Sequence, residues 1–221
     1  MTSPIDVSIV RENVQRIREH ITRHGGSNVS LVAVTKTLSR QAWAVAKECG
    51  CDAVGENYAQ ELRDKCGEEQ EPSLAIPVHF IGAIQTNKVR LIADVVDLWQ
   101  SVDRESILKE IAKRSGRDAH VLIQVNTTGE EAKSGCAPTE IEHLCRLADQ
   151  LDITVKGLMT MGPTDEDPVR TRAAFTLLRK LTTDYGLDEC SMGMSGDYLM
   201  AVDEGSTMVR IGQAIFGPRT R

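Results

Sequence analysis

Lys36 closes the run Ser30-Leu31-Val32-Ala33-Val34-Thr35-Lys36, where an apolar, β-branched stretch ends in a lone amine. Such a run reads as a strand of a buried parallel sheet. The C-terminal ends of such strands are where α/β folds place their chemistry. A lysine amine partly withdrawn from water there is a nucleophile toward aldehydes; a fully solvated lysine would merely cap the strand. Two later segments decide between these. Met194-Ser195-Gly196-Asp197 follows an apolar run and opens a helical stretch, offering a hydroxyl and a glycine that admits close backbone approach. Arg210-Ile211-Gly212-Gln213-Ala214 ends the last apolar run, where Gly212 can expose backbone N–H groups. In a barrel, phosphate sites often form after the seventh and eighth strands, at a helix N-terminus. An amine facing a phosphate cradle suits a phosphorylated aldehyde. Two ligand classes fit: pyridoxal 5′-phosphate (PLP), or the sugar phosphate of an aldolase. Arg210 sits inside the last strand near its end. Turned into the mouth it could donate to a pyridine nitrogen; otherwise it would pair with a carboxylate there.

The elements that must position these residues repeat one pattern: a short apolar run, a polar turn, a helical stretch. Eight candidate strands fall at roughly 29–35, 53–55, 77–82, 97–102, 119–126, 154–161, 189–194 and 207–212. Helical stretches lie between them at about 39–49, 56–67, 85–93, 103–115, 138–150, 168–185 and 196–204. Asp167-Pro168 starts one helix and Gly186 ends it, while Gly50 and Gly116 end two others. A further helix precedes the first strand, with Ser3 as its cap and Pro4 and Asp6 in its first turn. Val10, Val14, Ile17 and Ile21 make its apolar stripe, and Gly25-Gly26 ends it. The strands lack polar alternation, so both faces are expected to be buried. Eight strands alternating with helices give the (β/α)8 count, a TIM-like barrel with an extra N-terminal helix, expected as a single domain over residues 1–221. A doubly wound open sheet is the alternative, though it usually has fewer strands. The polar segment 67–77 reads as flexible, and 126–137, with Gly129 and Gly135 as hinges, as a mobile loop on the active face. That face is expected to collect Lys36, Asn57, His79, Gly82, Asn126, Met159, Ser195, Arg210 and Gly212.

Composition narrows the partners. Net charge is −6 with no strongly basic stretch, and aromatics are 4% of residues, so nucleic acid is not an expected partner. No apolar run is long enough to span a bilayer, and the first residues lack the pattern of a secretory signal. The expected compartment is the cytoplasm. Its six cysteines are scattered, without Cys-x-x-Cys pairs or zinc spacing, and read as reduced thiols filling core gaps. The histidines give no metal signature.

Six motifs in order give the chain a family likeness. They are Val32-Ala33-Val34-Thr35-Lys36; Gly55-Glu56-Asn57-Tyr58; His79-Phe80-Ile81-Gly82 with Gln85 and Asn87-Lys88; Gly157-Leu158-Met159-Thr160-Met161; Ser191-Met192-Gly193-Met194-Ser195; and Ser206-Thr207-Met208-Val209-Arg210-Ile211-Gly212 with Ile215-Phe216-Gly217. From about Val7 to Arg219 the chain resembles the PLP homeostasis proteins, often called the YggS/PROSC family, related to the N-terminal barrel of alanine racemase. The resemblance implies that Lys36 carries PLP as a Schiff base. It implies that Ser195, Gly212 and the backbone after it, Gln213, hold the phosphate, and that Arg210 faces the pyridine nitrogen. It sets Asn57 and His79 near the cofactor; Met159 is expected to bind there too, from its place on the same face. Ile84 stands where many relatives have leucine, and Gly196 where an acidic or polar residue is common; neither changes a ligand type.

The implied function is intracellular PLP homeostasis: the cofactor is held and passed on, with little or no catalysis. An arginine only donates, so the ring nitrogen opposite it stays unprotonated and is a weaker electron sink than one facing aspartate. The alternative is a PLP-dependent amino-acid racemase with Lys36 as its one base. The related racemases add a tyrosine from a second domain. Here the tyrosines are Tyr58, Tyr185 and Tyr198, and Tyr58 is the one expected near the cofactor. Apo PLP-dependent enzymes are the expected recipients, and the protein is expected to be a monomer or weak dimer.

Overall fold

The computed structural model describes residues 5–67, 76–115 and 119–218. Helix α1 (Val7–Arg23) leads into alternating strands and helices. The strands are β1 (Ser30–Val34), β2 (Ala53–Glu56), β3 (Val78–Phe80), β4 (Leu98–Val102), β5 (His120–Gln124), β6 (Thr154–Met159), β7 (Glu189–Ser191) and β8 (Met208–Ile211). Between them lie α2 (Gln41–Glu48), α3 (Ala59–Cys66), α4 (Thr86–Val89), α5 (Glu105–Ser115), α6 (Ile141–Gln150), α7 (Pro168–Asp184) and α8 (Tyr198–Asp203), and α9 (Gln213–Phe216) follows β8. Every strand pairs in parallel with the next, and β8 returns to β1 with Ala33 opposite Ile211, closing a (β/α)8 barrel.

The apolar runs become strands because both faces have something to bury. Inward, Val32, Ala53, Leu98, Leu122, Met159 and Met208 pack together inside the barrel. Outward, residues such as Leu31, Trp99, Val121 and Leu158 pack against the helices. Along α1, Val10, Val14, Ile17 and Ile21 are the buried stripe expected of them. The cap differs. Asp6 closes the helix start, its Oδ1 accepting from the N–H groups of Ser8 and Ile9 at 3.0 and 3.3 Å. Ser3, Pro4 and Gly116, and most of the segment 67–77, lie outside the described residues.

Boundaries move where tertiary pairing outweighs local pattern. Glu56 stays in β2 because it registers with Phe80, so α3 begins three residues later than its expected start. The helix expected over 85–93 is a single turn at Thr86–Val89, continued by tighter turns in which Leu91 and Ile92 N–H groups bond to Lys88 and Val89 carbonyls. The stretch Ile81–Gly82 leaves β3 and packs its backbone on the loop after β2. A Cβ added at Gly82 would come within 2.1 Å of the Asn57 carbonyl oxygen.

Candidate functional site

The C-terminal end of the barrel brings the β1, β7 and β8 loops to one face. Lys36 lies two residues past the end of β1 and is half-buried. The chain then turns sharply, with Thr37 at φ 65°. Left-handed backbone at a β-branched residue is strained and costs on the order of 1–3 kcal/mol.

The loop after β7 is shaped by Gly193 and Asp197. Gly193 takes φ 95°, and a Cβ there would meet Ala201 Cβ at 2.6 Å. Asp197 Oδ1 accepts from the Met194 N–H at 2.5 Å, folding the loop over the start of α8. Ser195 then projects toward the loop after β8: its Oγ accepts from the Ala214 N–H, in the first turn of α9, at 3.4 Å. Gly212 is buried and precedes α9, while Gln213 is exposed. The first N–H groups of a helix have no partner within it. Ser195 and these N–H groups therefore lie together as a set of neutral donors, which suits an anion such as a phosphate. The short helix α9 escaped the sequence reading because four residues carry no periodicity.

Arg210 lies in β8 below this cradle and is 4% exposed. Its Nη1 donates to Ser191 Oγ at 2.6 Å and its Nη2 to the Thr160 carbonyl at 2.8 Å. Both partners are neutral. Burial lowers its pKa to about 10, opposed by the negative charge of Asp197, so it stays cationic at neutral pH. Burial in turn raises the carboxyl pKa of Asp197.

The bonds continue into the barrel. Ser191 Oγ donates to Gln100 Oε1 at 2.7 Å, and Gln100 Nε2 lies 2.9 Å from His79 Nδ1 and 3.0 Å from Met208 Sδ. An amide nitrogen only donates, so His79 Nδ1 accepts and the neutral ring carries its proton on Nε2. Thr160, Ser191 and Gln100 were missed as site residues. Their only sequence signal is a polar side chain within or just past an apolar strand run, with nothing to say which way it faces.

His79 lies away from these loops. Its place in the middle of β3 sets it inside the barrel, lining an opening at the opposite, N-terminal end with Ser30, Pro77, Asp97, His120 and Glu189. Hydrogen bonds through Gln100 and Ser191 join it to Arg210. Burial lowers its pKa to about 4, so it is neutral at pH 7. Met159 ends β6 and is packed in the barrel interior, below Thr160. Asn57 lies just past β2, and its Oδ1 is buried with no partner among the described residues. It lines a cavity of about 390 Å³ together with Tyr58, Gly82, Gln85, Lys88 and Trp99.

The loop 126–137, expected to be mobile, is instead fastened along its length. The Asn126 N–H donates to the Cys136 carbonyl and the Cys136 N–H to that of Gln124, both at 2.9 Å. Gln124 Nε2 reaches the Ser134 carbonyl at 3.1 Å, and Thr127 Oγ1 lies 2.9 Å from Thr160 Oγ1. Lys133 is engaged by the Gly162 carbonyl and, at 2.8 Å, by Glu130. Glycines at 129 and 135 serve its tight turns, with φ of 71° and 120°. No group of three metal-ligating side chains occurs among the described residues. No disulfide forms among the six cysteines; burial pushes the Cys51 and Cys136 thiols up to about 12.

The barrel and its loops have known counterparts. Residues 5–220 match the model of the alanine racemase N-terminal domain family. The pyridoxal phosphate homeostasis protein of Vibrio cholerae is 40% identical, over 94% of this chain and 97% of its own length. That of Pseudomonas aeruginosa is 39% identical, over 96% and 97%. Among solved structures, PipY of Synechococcus elongatus PCC7942, with PLP bound, superposes with a TM-score of 0.81 at 29% identity, covering 94% of this chain and all of that one. The chain belongs to the pyridoxal phosphate homeostasis proteins, within the alanine racemase N-terminal domain family.

Proposed function

We propose that this protein binds PLP at the C-terminal end of its barrel and passes it on, with little or no catalysis of its own. The observation that carries this reading is the meeting of Ser195 with the first turn of α9, directly beyond buried Arg210 on the same barrel end as Lys36. The donor set fits the cofactor group by group. Ser195 and the backbone N–H groups from Gly212 to Ala214, with Gln213 contributing through its backbone, would take the phosphate. Arg210 would donate to the ring nitrogen, and Lys36 would anchor the aldehyde. The unpartnered Oδ1 of Asn57 would accept from the ligand or from a water beside it. When bound, PLP supplies an electrophilic aldehyde carbon and an absorbing ring. The solved PipY with PLP bound supports the ligand, and the homeostasis naming of the relatives supports the role.

What the residues do limits the chemistry. Arg210 holds its proton throughout, so it weakens any draw of electrons into the ring. Ser195 and the α9 backbone hold an anion without neutralising it, which suits reversible retention. Tyr58, the tyrosine expected near the cofactor, is 54% exposed, a poor setting for a tuned second base. The recipients we propose are apo PLP-dependent enzymes. Purified protein should absorb in the visible, and mixing the loaded protein with an apo PLP-dependent enzyme should restore that enzyme's activity. Transfer no faster than from an unrelated lysine-rich protein loaded with PLP would contradict the carrier role.

A further inference from the structure

A buried ion cluster stands beside Lys36 that the proposed PLP site does not use. Glu56 ends β2 with its side chain fully buried, and Lys65 of α3 is nearly so. Glu56 Oε1 accepts from Lys65 Nζ at 2.6 Å, from Thr35 Oγ1 at 2.6 Å and from Trp43 Nε1 at 3.0 Å. Lys65 Nζ also pairs with Glu61 Oε1 at 2.6 Å. Burying a lysine between carboxylates is a poor route to stability, because desolvation offsets most of the attraction. What this cluster fixes is geometry. Three of its bonds end on the residues flanking Lys36: Lys65 Nζ to the Thr35 carbonyl at 2.9 Å, Thr35 Oγ1 to Glu56, and the Thr37 N–H to Glu61 Oε1 at 2.6 Å. Thr37 is also the residue with strained, left-handed backbone. A strained conformation persists only where its surroundings hold it, and Glu61 is the group bonded to that N–H.

We infer that Glu61, set by Lys65 and Glu56, is a positioning residue that clamps the turn after β1 and aims the Lys36 amine at the aldehyde carbon of the cofactor. The inference rests on the reading of Lys36 as the PLP anchor. In the step it serves, Lys36 Nζ bonds to the aldehyde carbon, and the aldehyde oxygen leaves as water with the two protons of the amine. A turn free to relax would keep the amine but lose its aim, so the rate of this step should fall while phosphate binding at Ser195 and α9 stays as it was.

The test follows the absorbance change on adding PLP to the apo protein, in wild type and three variants. Inorganic phosphate competition reports the cradle, and mass spectrometry after borohydride reduction reports the labelled lysine. Glu61→Ala should slow attachment at Lys36 by about tenfold or more. Glu61→Asp keeps the charge beside Lys65 but not the reach, so it should fall with Glu61→Ala. Glu61→Gln keeps an acceptor for the Thr37 N–H and should stay within about threefold of wild type. Inorganic phosphate should compete equally in all four proteins. Wild-type label on Lys36 with unchanged rates in Glu61→Ala and Glu61→Asp overturns this inference alone. Wild-type label on another lysine overturns both it and the reading it rests on.

Discussion

Ser195 joins the two loops of the cradle, and its removal should show there first. Ser195→Ala deletes one hydrogen bond to a charged group, worth roughly 1.5–3 kcal/mol. PLP should dissociate about ten- to a hundredfold more readily, measured by dialysis or by phosphate competition, with the melting temperature of the apo protein little changed. His79 gives a pH signature. Its folded pKa of about 4 lies below the unfolded value near 6.5. Between those values the unfolded chain binds the extra proton, so stability falls as pH drops through that window, by up to about 3 kcal/mol, and does not change on this account above it. His79→Gln keeps an acceptor for Gln100 and should flatten that part of the melting-temperature profile relative to wild type. The place of Lys36, Ser195 and Gly212 just past strand ends was legible because each follows an apolar run, where sequence marks such an end. Gln100 and Ser191 lie within such runs and Thr160 just past one. The direction of those side chains depends on strand register and closure, which no local pattern carries.

Elements were legible wherever burial on two faces produced an apolar run, as in β1, β4 and β5; β6 is exposed or half-exposed over Thr154, Val155 and Lys156. Their ends were less so, because pairing partners set them: Glu56 is strand because Phe80 stands beside it. The loop 126–137 shows the opposite error, in which two glycines suggested hinges and the structure uses them for turns. Its hydrogen bonds give a direct expectation: the amides of Asn126 and Cys136 should be protected in hydrogen exchange, not open as in a mobile lid. The loop after β7 is equally dependent on its backbone. Gly193→Ala forces a side chain into left-handed backbone and against Ala201. It should cost more than about 1 kcal/mol in denaturant unfolding and weaken phosphate retention together with it.

On the scale of the molecule, the barrel sets an amine, a guanidinium and the neutral donors proposed to hold the phosphate on one end. Helix α1 braces that arrangement from outside: Asn13 Nδ2 donates to the Ile215 carbonyl in α9 at 2.9 Å. Fold and ligand class were both legible, since the count of alternating elements and six motifs point to one family. The reach of the site's hydrogen bonds through the barrel interior was not, because it joins residues as far apart in the chain as His79 and Arg210. A carrier with Arg210 at the ring should turn over alanine far more slowly than the enzyme median of about 10 s⁻¹ in a chiral assay. The central claim is that Lys36 anchors the cofactor. Borohydride reduction of the PLP-loaded protein followed by peptide mass spectrometry should find the pyridoxyl mass on Lys36, and Lys36→Ala should lose the visible absorbance while keeping the barrel folded. Label on Lys88 or Lys133, or visible absorbance that survives in Lys36→Ala, would contradict it.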